Sequence, residues 1–235
     1  MNVAAASSSL EWLARRIGHS FEKPQLLLLA CTNRSFGGDN NERLEYLGDA
    51  LIGFVVAAEL YRRRPRVREG ALSRLRANLV CEDSLAALAA GLELGEALRL
   101  GEGELKSGGF RRPSILADAF EAMIGAVYMD AGFETTRQVC LELFRERLDN
   151  LPDVRSLKDA KTRLQEWLQA RGESLPLYEV LEESGPPHKR RFSVGCRMQD
   201  GAHVQFHTQA TASSRRKAEQ EAAARALSTL EEDNA

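Results

Sequence analysis

The chain predicts a two-part fold: an all-α body over residues 10–150, followed by a small α+β body of order α-β-β-β-α over residues 157–230. Three observations carry this. Leu and Ala recur at helical spacing throughout the first part. Period-two alternation is confined to the second. The two textures meet at a short polar connector, residues 150–159, containing Pro152.

In the first part, Gly37-Gly38, Pro65, Gly91, Gly101 to Gly109 and Pro113 punctuate the helices. The spacing predicts a helix over about 41–63 with Leu44, Leu47, Leu51, Phe54, Val55 and Ala58 on one face. At about 100° per residue, Glu42, Glu45 and Asp49 gather on the opposite side, which continues as Ile52, Gly53 and Val56. The helix therefore turns apolar all round, and its acids sit where burial begins. A second helix, over 114–132, places Asp118 and Glu121 on a face shared with Ala122, Gly125 and Met129. Leu116, Phe120, Met123, Ile124 and Val127 fill its other sides.

In the second part, Asp159 is placed to cap a helix whose apolar face is Leu164, Trp167 and Leu168, ending near Gly172. Strands follow over Tyr178 to Glu183, through Phe192, Val194, Cys196 and Met198, and, after a QDGAH turn, through Val204 and Phe206. The last helix opens at Ser213 or Ser214 and repeats Ala218, Ala222, Ala226 and Leu230.

Composition bounds the function classes. With 235 residues, 43% hydrophobic and 28% charged, the chain is globular rather than disordered. A net charge of −2 means that any polyanion partner must be announced locally. The four cysteines, Cys31, Cys81, Cys140 and Cys196, form no C-x-x-C pair and read as buried free thiols of a reducing compartment. The beginning MNVAAASSSL has no basic or apolar leader pattern, and the aliphatic run Leu26 to Ala30 is too short to span a bilayer. A cytoplasmic protein with no membrane partner is the expectation.

Two local features carry chemistry. Buried carboxylates cost several kcal/mol each unless a cation neutralises them or they take up protons. Arg43 or Arg74 could supply that cation in a structural ion-pair network. Equally, two pairs of oxygen ligands suit a hard divalent metal such as Mg²⁺. Spacing leaves both open. The basic runs His188-Lys189-Arg190-Arg191 and Arg215-Arg216-Lys217 would ordinarily be solvated faces. The second, however, crowds three cations at the positive end of a helix dipole, which is unfavourable without an anion to receive them. No aromatics interleave with it, which favours a duplex backbone over single-strand stacking.

These residues resemble a known family nearly end to end. "NERLEYLGDA", "EGALSRLRANLV", "LGEGELKSGG" and "RRPSILADAFEAMIGAVYMDAG" resemble the bacterial ribonuclease III nuclease domain. "DAKTRLQEWLQARG", "GPPHKRRFSV" and "SSRRKAEQEAAARAL" resemble its double-stranded-RNA-binding domain. The resemblance implies a homodimeric endoribonuclease that hydrolyses both strands of double-stranded RNA. It implies Mg²⁺, with Mn²⁺ as a substitute, and 5′-phosphate and 3′-hydroxyl ends with short 3′ overhangs. Ribosomal-RNA precursors and structured messages are the implied substrates. Glu45, Asp49, Asp118 and Glu121 match the metal ligands, with Asp49 and Glu121 in the catalytic roles; Glu42 and Glu69 match accessory acids near the dimer contact. Lys161, Thr162 and Gln165 match contacts to one minor groove, and Pro187 and His188 match contacts to the next. Arg215, Arg216 and Lys217 match the grip on phosphates between them.

Two departures stand out. Asn33 replaces the family's usual histidine, which bears on local packing. Ala210 and Ala212 fall where the loop before the last helix usually carries glycine, so a changed loop geometry is expected. The rival from another class is a non-cleaving RNA-binding or ribosome-assembly factor on the same fold; the four intact carboxylates speak against it.

Overall fold

The computed structural model describes residues 10–154, 157–186, 189–200 and 203–232. The chain forms two compact units, dividing between Pro152 and Asp153.

The first unit is helical: α1 (Glu11–Ile17), α2 (Pro24–Ala30), α3 (Glu42–Arg63), α4 (Glu69–Leu79), α5 (Glu82–Gly91), α6 (Glu102–Lys106), α7 (Pro113–Leu143) and α8 (Arg145–Asp149). Short 3-10 turns lie at Arg34–Phe36, Leu94–Ala97 and Gly109–Arg111. α7 is the central element, with α2, α3 and α5 packed against it. Its burial is continuous from Ile115 to Val127 apart from Asp118 and Glu121, and Phe120, Met123 and Ile124 are fully enclosed. Gly132 interrupts it with φ 76° and ψ −176°, a conformation essentially restricted to glycine, and a second run continues to Leu143.

The α3–α7 crossing is set by two glycines. A Cβ on Gly48 would lie 1.8 Å from the Glu121 carbonyl oxygen, and one on Gly125 would lie 2.2 Å from the Leu44 carbonyl oxygen. The pairs 48/121 and 44/125 run in opposite senses, so the helices cross antiparallel with backbones in contact. Glu45 and Asp49 flank Gly48, while Asp118 and Glu121 precede Gly125 by two turns and one turn.

This crossing corrects the expected face of α3. The buried stripe is Leu44, Gly48, Ile52, Val55, Val56, Glu59 and Leu60. Leu47 and Leu51 are half-buried, whereas Phe54 and Ala58 are exposed. The backbone contact at Gly48 draws the acid-bearing side toward α7 and turns Phe54 outward. Cys31 and Cys140 are buried as free thiols, but Cys81 is exposed at the start of α5.

The second unit comprises α9 (Ala160–Gln169), β1 (Leu177–Ser184), β2 (Arg191–Asp200), β3 (His203–Ala212) and α10 (Arg215–Glu232). The strands form an antiparallel sheet of order β1-β2-β3, with Tyr178 opposite Cys196 and Val194 opposite Ala210. Asp159 caps α9 by accepting the Thr162 amide at 2.9 Å. Leu164 and Leu168 of α9 meet Cys196, Met198 and Ala210 of the sheet and Ala222, Ala223, Ala226 and Leu227 of α10. The alanines keep α10 close to the strands. The side chains of Val204 and Phe206 lie outside the described part.

Gly48→Ala and Gly125→Ala are each expected to lose about 3 kcal/mol or more in urea denaturation, because backbone carbonyls cannot swing aside as side chains do. Gly53→Ala on the same helix meets nothing within 4 Å and is expected to be neutral or to gain up to about 1 kcal/mol. Similar losses at all three positions would rule out close crossing as the cause.

Candidate active site

Glu45 and Asp118 line a polar cleft of about 370 Å³ together with Asn33, Arg34, Ser35, Asn41, Glu42, Glu104, Arg112, Ser114 and Ile115. Asp49 and Glu121 complete an acidic cluster. Burial raises the Glu121 carboxyl from its ordinary 4.5 to about 8, reinforced by the charges of Asp49, Glu45 and Asp118. Burial also raises Glu45, with Asp118, Glu42 and Asp49 adding to the effect and Arg34 opposing it. Asp118 is raised by burial and by Glu82, again against Arg34.

The expected alternative, an ion-pair network, does not form. Among the described residues none of the four carboxylates accepts a hydrogen bond or makes an ion pair, and neither Arg43 nor Arg74 reaches them. The Arg74 Nε is itself buried without an acceptor. Glu59, on the same helix, shows what a neutralised buried acid looks like. Its carboxylate accepts from Arg62 and Arg63 at 2.6 Å, and those bonds, that to Arg62 foremost, hold it down to about 2.

The donor set is four carboxylates and nothing softer, which suits a hard divalent cation. As placed, no three His, Cys, Asp or Glu side chains among the described residues converge tightly enough to ligate one ion. The residues fit such an ion by chemistry and by their deficit of positive charge.

The two accessory acids part company. Glu42 borders the cleft, 3.8 Å from Arg34. Glu69 instead accepts from Ser73 at 2.7 Å and lines a separate recess with Ala57, Leu60, Tyr61, Leu72 and Arg76. Sequence reasoning passed over Arg34; its one available signal was a cation eight residues before Glu42 with no apolar face to serve.

In the second unit, Thr162 and Gln165 are exposed one turn apart on α9. Lys161 is spent internally: its ammonium lies 2.7 Å from Glu219 and 4.2 Å from the Tyr178 ring centroid. Glu219 also receives Arg215 at 2.8 Å. Arg216 and Lys217 are exposed and make no ion pair among the described residues. Pro187 and His188 lie outside the described residues. Asn33 caps the 3-10 turn by accepting the Ser35 amide at 2.9 Å. Ala210 and Ala212 belong to strand β3, with no positive φ, so the expected strain of alanine in a loop does not arise. Ser214 supplies the α10 cap, accepting the Lys217 amide.

A helical body that keeps its acids unneutralised, joined to a separate α+β body with a basic helix start, is the design of a nucleic-acid hydrolase. Residues 23–148 match the ribonuclease-III-like family model, and residues 160–230 match the double-stranded RNA binding motif. Ribonuclease 3 of Alkalilimnicola ehrlichii is 55% identical over 94% of this chain and 95% of its own, and that of Ectopseudomonas mendocina is 54% identical over 97% and 98%. The nuclease domain of ribonuclease III from Campylobacter jejuni, in a structure describing flexibility in a region involved in dimer formation, aligns with TM-score 0.57 and 42% identity. It covers 58% of this chain and 96% of that one. The chain belongs to the ribonuclease III family and is an endoribonuclease.

Glu121 yields a pH signature in metal-free protein. Its folded value of about 8 exceeds the ordinary 4.5. The folded state therefore binds the extra proton between those limits. Stability is full below about pH 4.5 and falls as pH rises through 8. Discounted for partial exposure, the loss is about 2 kcal/mol. In EDTA, Glu121→Gln is expected to match the wild type at pH 5 and exceed it by that amount at pH 9. Parallel urea-stability curves across this range would show that Glu121 is not charge-frustrated.

Proposed function

We propose that the chain hydrolyses phosphodiester bonds in both strands of double-stranded RNA, with residues 10–150 as the catalytic domain and residues 157–230 as the RNA-binding domain. The observation that carries this reading is the cluster of half-buried Glu45, Asp118 and Glu121 with exposed Asp49, unneutralised by any ion pair among the described residues. These four would hold Mg²⁺, or Mn²⁺ in its place. The chemistry supplied when such an ion is bound is activation of the attacking water and stabilisation of the leaving oxygen. Glu121 and Asp49 hold the charge at the reacting end, and Glu45 and Asp118 hold it at the cleft wall. In-line hydrolysis with departure of the 3′ oxygen leaves 5′-phosphate and 3′-hydroxyl ends, staggered as short 3′ overhangs when two centres act across a duplex. Ribosomal-RNA precursors and structured transcripts are the substrates this reading implies, and the cytoplasm is its setting. Among the described residues no helix is long and apolar enough to cross a membrane.

The RNA-binding unit would reach one minor groove through Thr162 and Gln165 and the next through Pro187 and His188. Arg215, Arg216 and Lys217 would take the phosphates between, and Lys161 would contribute from its bridge to Glu219.

Cutting both strands needs two centres, and a homodimer supplies them by symmetry. The exposed stripe of α3 supports it: Tyr46, Phe54 and Tyr61 are 82%, 60% and 75% exposed, and Phe133 of α7 packs edge-on against Phe54. Light scattering is expected to give twice the 26.0 kDa chain mass at micromolar concentration. Phe54→Asp should shift the protein to monomer with its helical content intact. A fully active wild-type monomer would overturn the dimer.

The enzyme reading is tested most directly at Glu121. Glu121→Gln keeps size and one acceptor but removes the charge. Single-turnover cleavage of a long duplex in Mg²⁺ is expected to fall at least about a thousandfold, roughly 4 kcal/mol in barrier. Duplex affinity by filter binding should change only a few-fold. Near-normal cutting would remove Glu121 from the site, and a wild type that binds but never cuts would make the protein a binding factor.

A further inference from the structure

The cleft beside the carboxylates is lined by both signs of charge: Glu42, Glu45, Glu104 and Asp118 supply the negative side chains, and Arg34 and Arg112 the positive ones. Arg34 projects there from the 3-10 turn, whose backbone is pinned on several sides. Asn33 caps the turn, the Asn33 amide donates to the Arg99 carbonyl at 3.0 Å, and the Gly101 amide donates to Ser35 Oγ at 3.0 Å. Phe36, the turn's last residue, lies under the Arg99 guanidinium at 4.1 Å. The frame is fixed, yet the Arg34 side chain is 77% exposed. Its sole ion pair among the described residues is with exposed Glu42, at 3.8 Å, a contact of the kind that contributes little. Arg112, the other cation on the cleft, is engaged by Glu104 at 3.0 Å.

A second, independent feature points to the same ligand. α7 opens into this cleft through Ser114 and Ile115. Its first turn has no side-chain cap and no acidic residue. Pro113 has no amide and Leu116 donates to the Arg112 carbonyl, which leaves the Ser114 and Ile115 amides without helical acceptors where the dipole favours negative charge.

We propose that this cleft is a phosphate subsite for the cleaved strand, in which Arg34 and the first turn of α7 bind a backbone phosphate neighbouring the scissile one. The inference rests on the endoribonuclease reading above and adds to it a ligand for the substrate. Arg34 touches the RNA, fixes the strand's register against Glu45 and Asp118, and acts without bond-making.

A duplex carrying one neutral methylphosphonate linkage, walked through the positions flanking the cut, tests this against wild type, Arg34→Gln and Arg34→Lys. A charge-assisted hydrogen bond to phosphate is worth about tenfold or more. Arg34→Gln is expected to slow single-turnover cleavage of the all-phosphate duplex by that factor. At one linkage position the wild type should lose the same factor and Arg34→Gln nothing further. Arg34→Lys should fall between, keeping the charge without the fork. An all-phosphate duplex cut by Arg34→Gln at the wild-type rate overturns the subsite, as do losses that multiply at every position. Affinities in Ca²⁺ read the same coupling without cleavage. Coupling in Ca²⁺ with no cleavage by the wild type supports the subsite and sinks the endoribonuclease reading. Normal cleavage with no coupling in either assay sinks the subsite alone.

Discussion

Backbone contact between α3 and α7 is the constraint on which the rest of the first unit depends. Side chains at Gly48 and Gly125 would hold the helices apart by the size of a methyl group or more, since each Cβ would collide with a carbonyl oxygen of the facing helix. Close approach does two things at once. It turns Ile52, Val55 and Val56 into the core, and it brings the carboxylates of two separate sequence segments to one edge of the interface. The packing gain of the apolar residues below the crossing offsets the repulsion of the acids above it.

That repulsion is left standing, and the chain shows that it need not have been. Glu59 lies three turns along α3 from Asp49 and is buried, yet two arginines hold its carboxylate far below the usual range. At the crossing, Glu121 of α7 is pushed the opposite way with no cation to lower it, and Arg34 pairs only with Glu42 among the described residues. One helix thus carries a satisfied acid near its C-terminal end and unsatisfied acids near its start. Perturbation of this kind marks sites of function because stability alone would select against it.

Much of this was legible in the sequence, for physical reasons that also explain the misses. The i, i+3 and i, i+4 spacing of the carboxylates survives in any helix, so their clustering could be read without knowing the fold. The helix boundaries followed from Gly and Pro, and the α+β order followed from a change of period. The face of α3 was misread because an all-round apolar helix has no preferred side until a partner is chosen. That choice lies in Gly48, a residue which in one dimension reads as a helix weakener and in three as a docking point. Ala210 and Ala212 were misplaced by a few residues, enough to turn strand into loop and invent a strain that β3 does not have. Arg34 was invisible because a lone arginine carries no periodic signal; only the cleft gives it a direction.

The second unit shows the converse limit, where charge counted along the chain overstates what a surface can offer. Glu219 accepts from both Lys161 and Arg215, two of the cations expected to meet RNA, and Lys161 is further held against Tyr178. Gln220 donates to Asp159 and accepts from the Lys161 amide, so a second set of bonds joins α9 to α10 in the same region. A cation that already faces a carboxylate releases fewer counterions when a phosphate arrives than one facing solvent. Arg216 and Lys217 face solvent and keep their charge available, while the Lys161–Glu219–Arg215 bridge links α9 to α10.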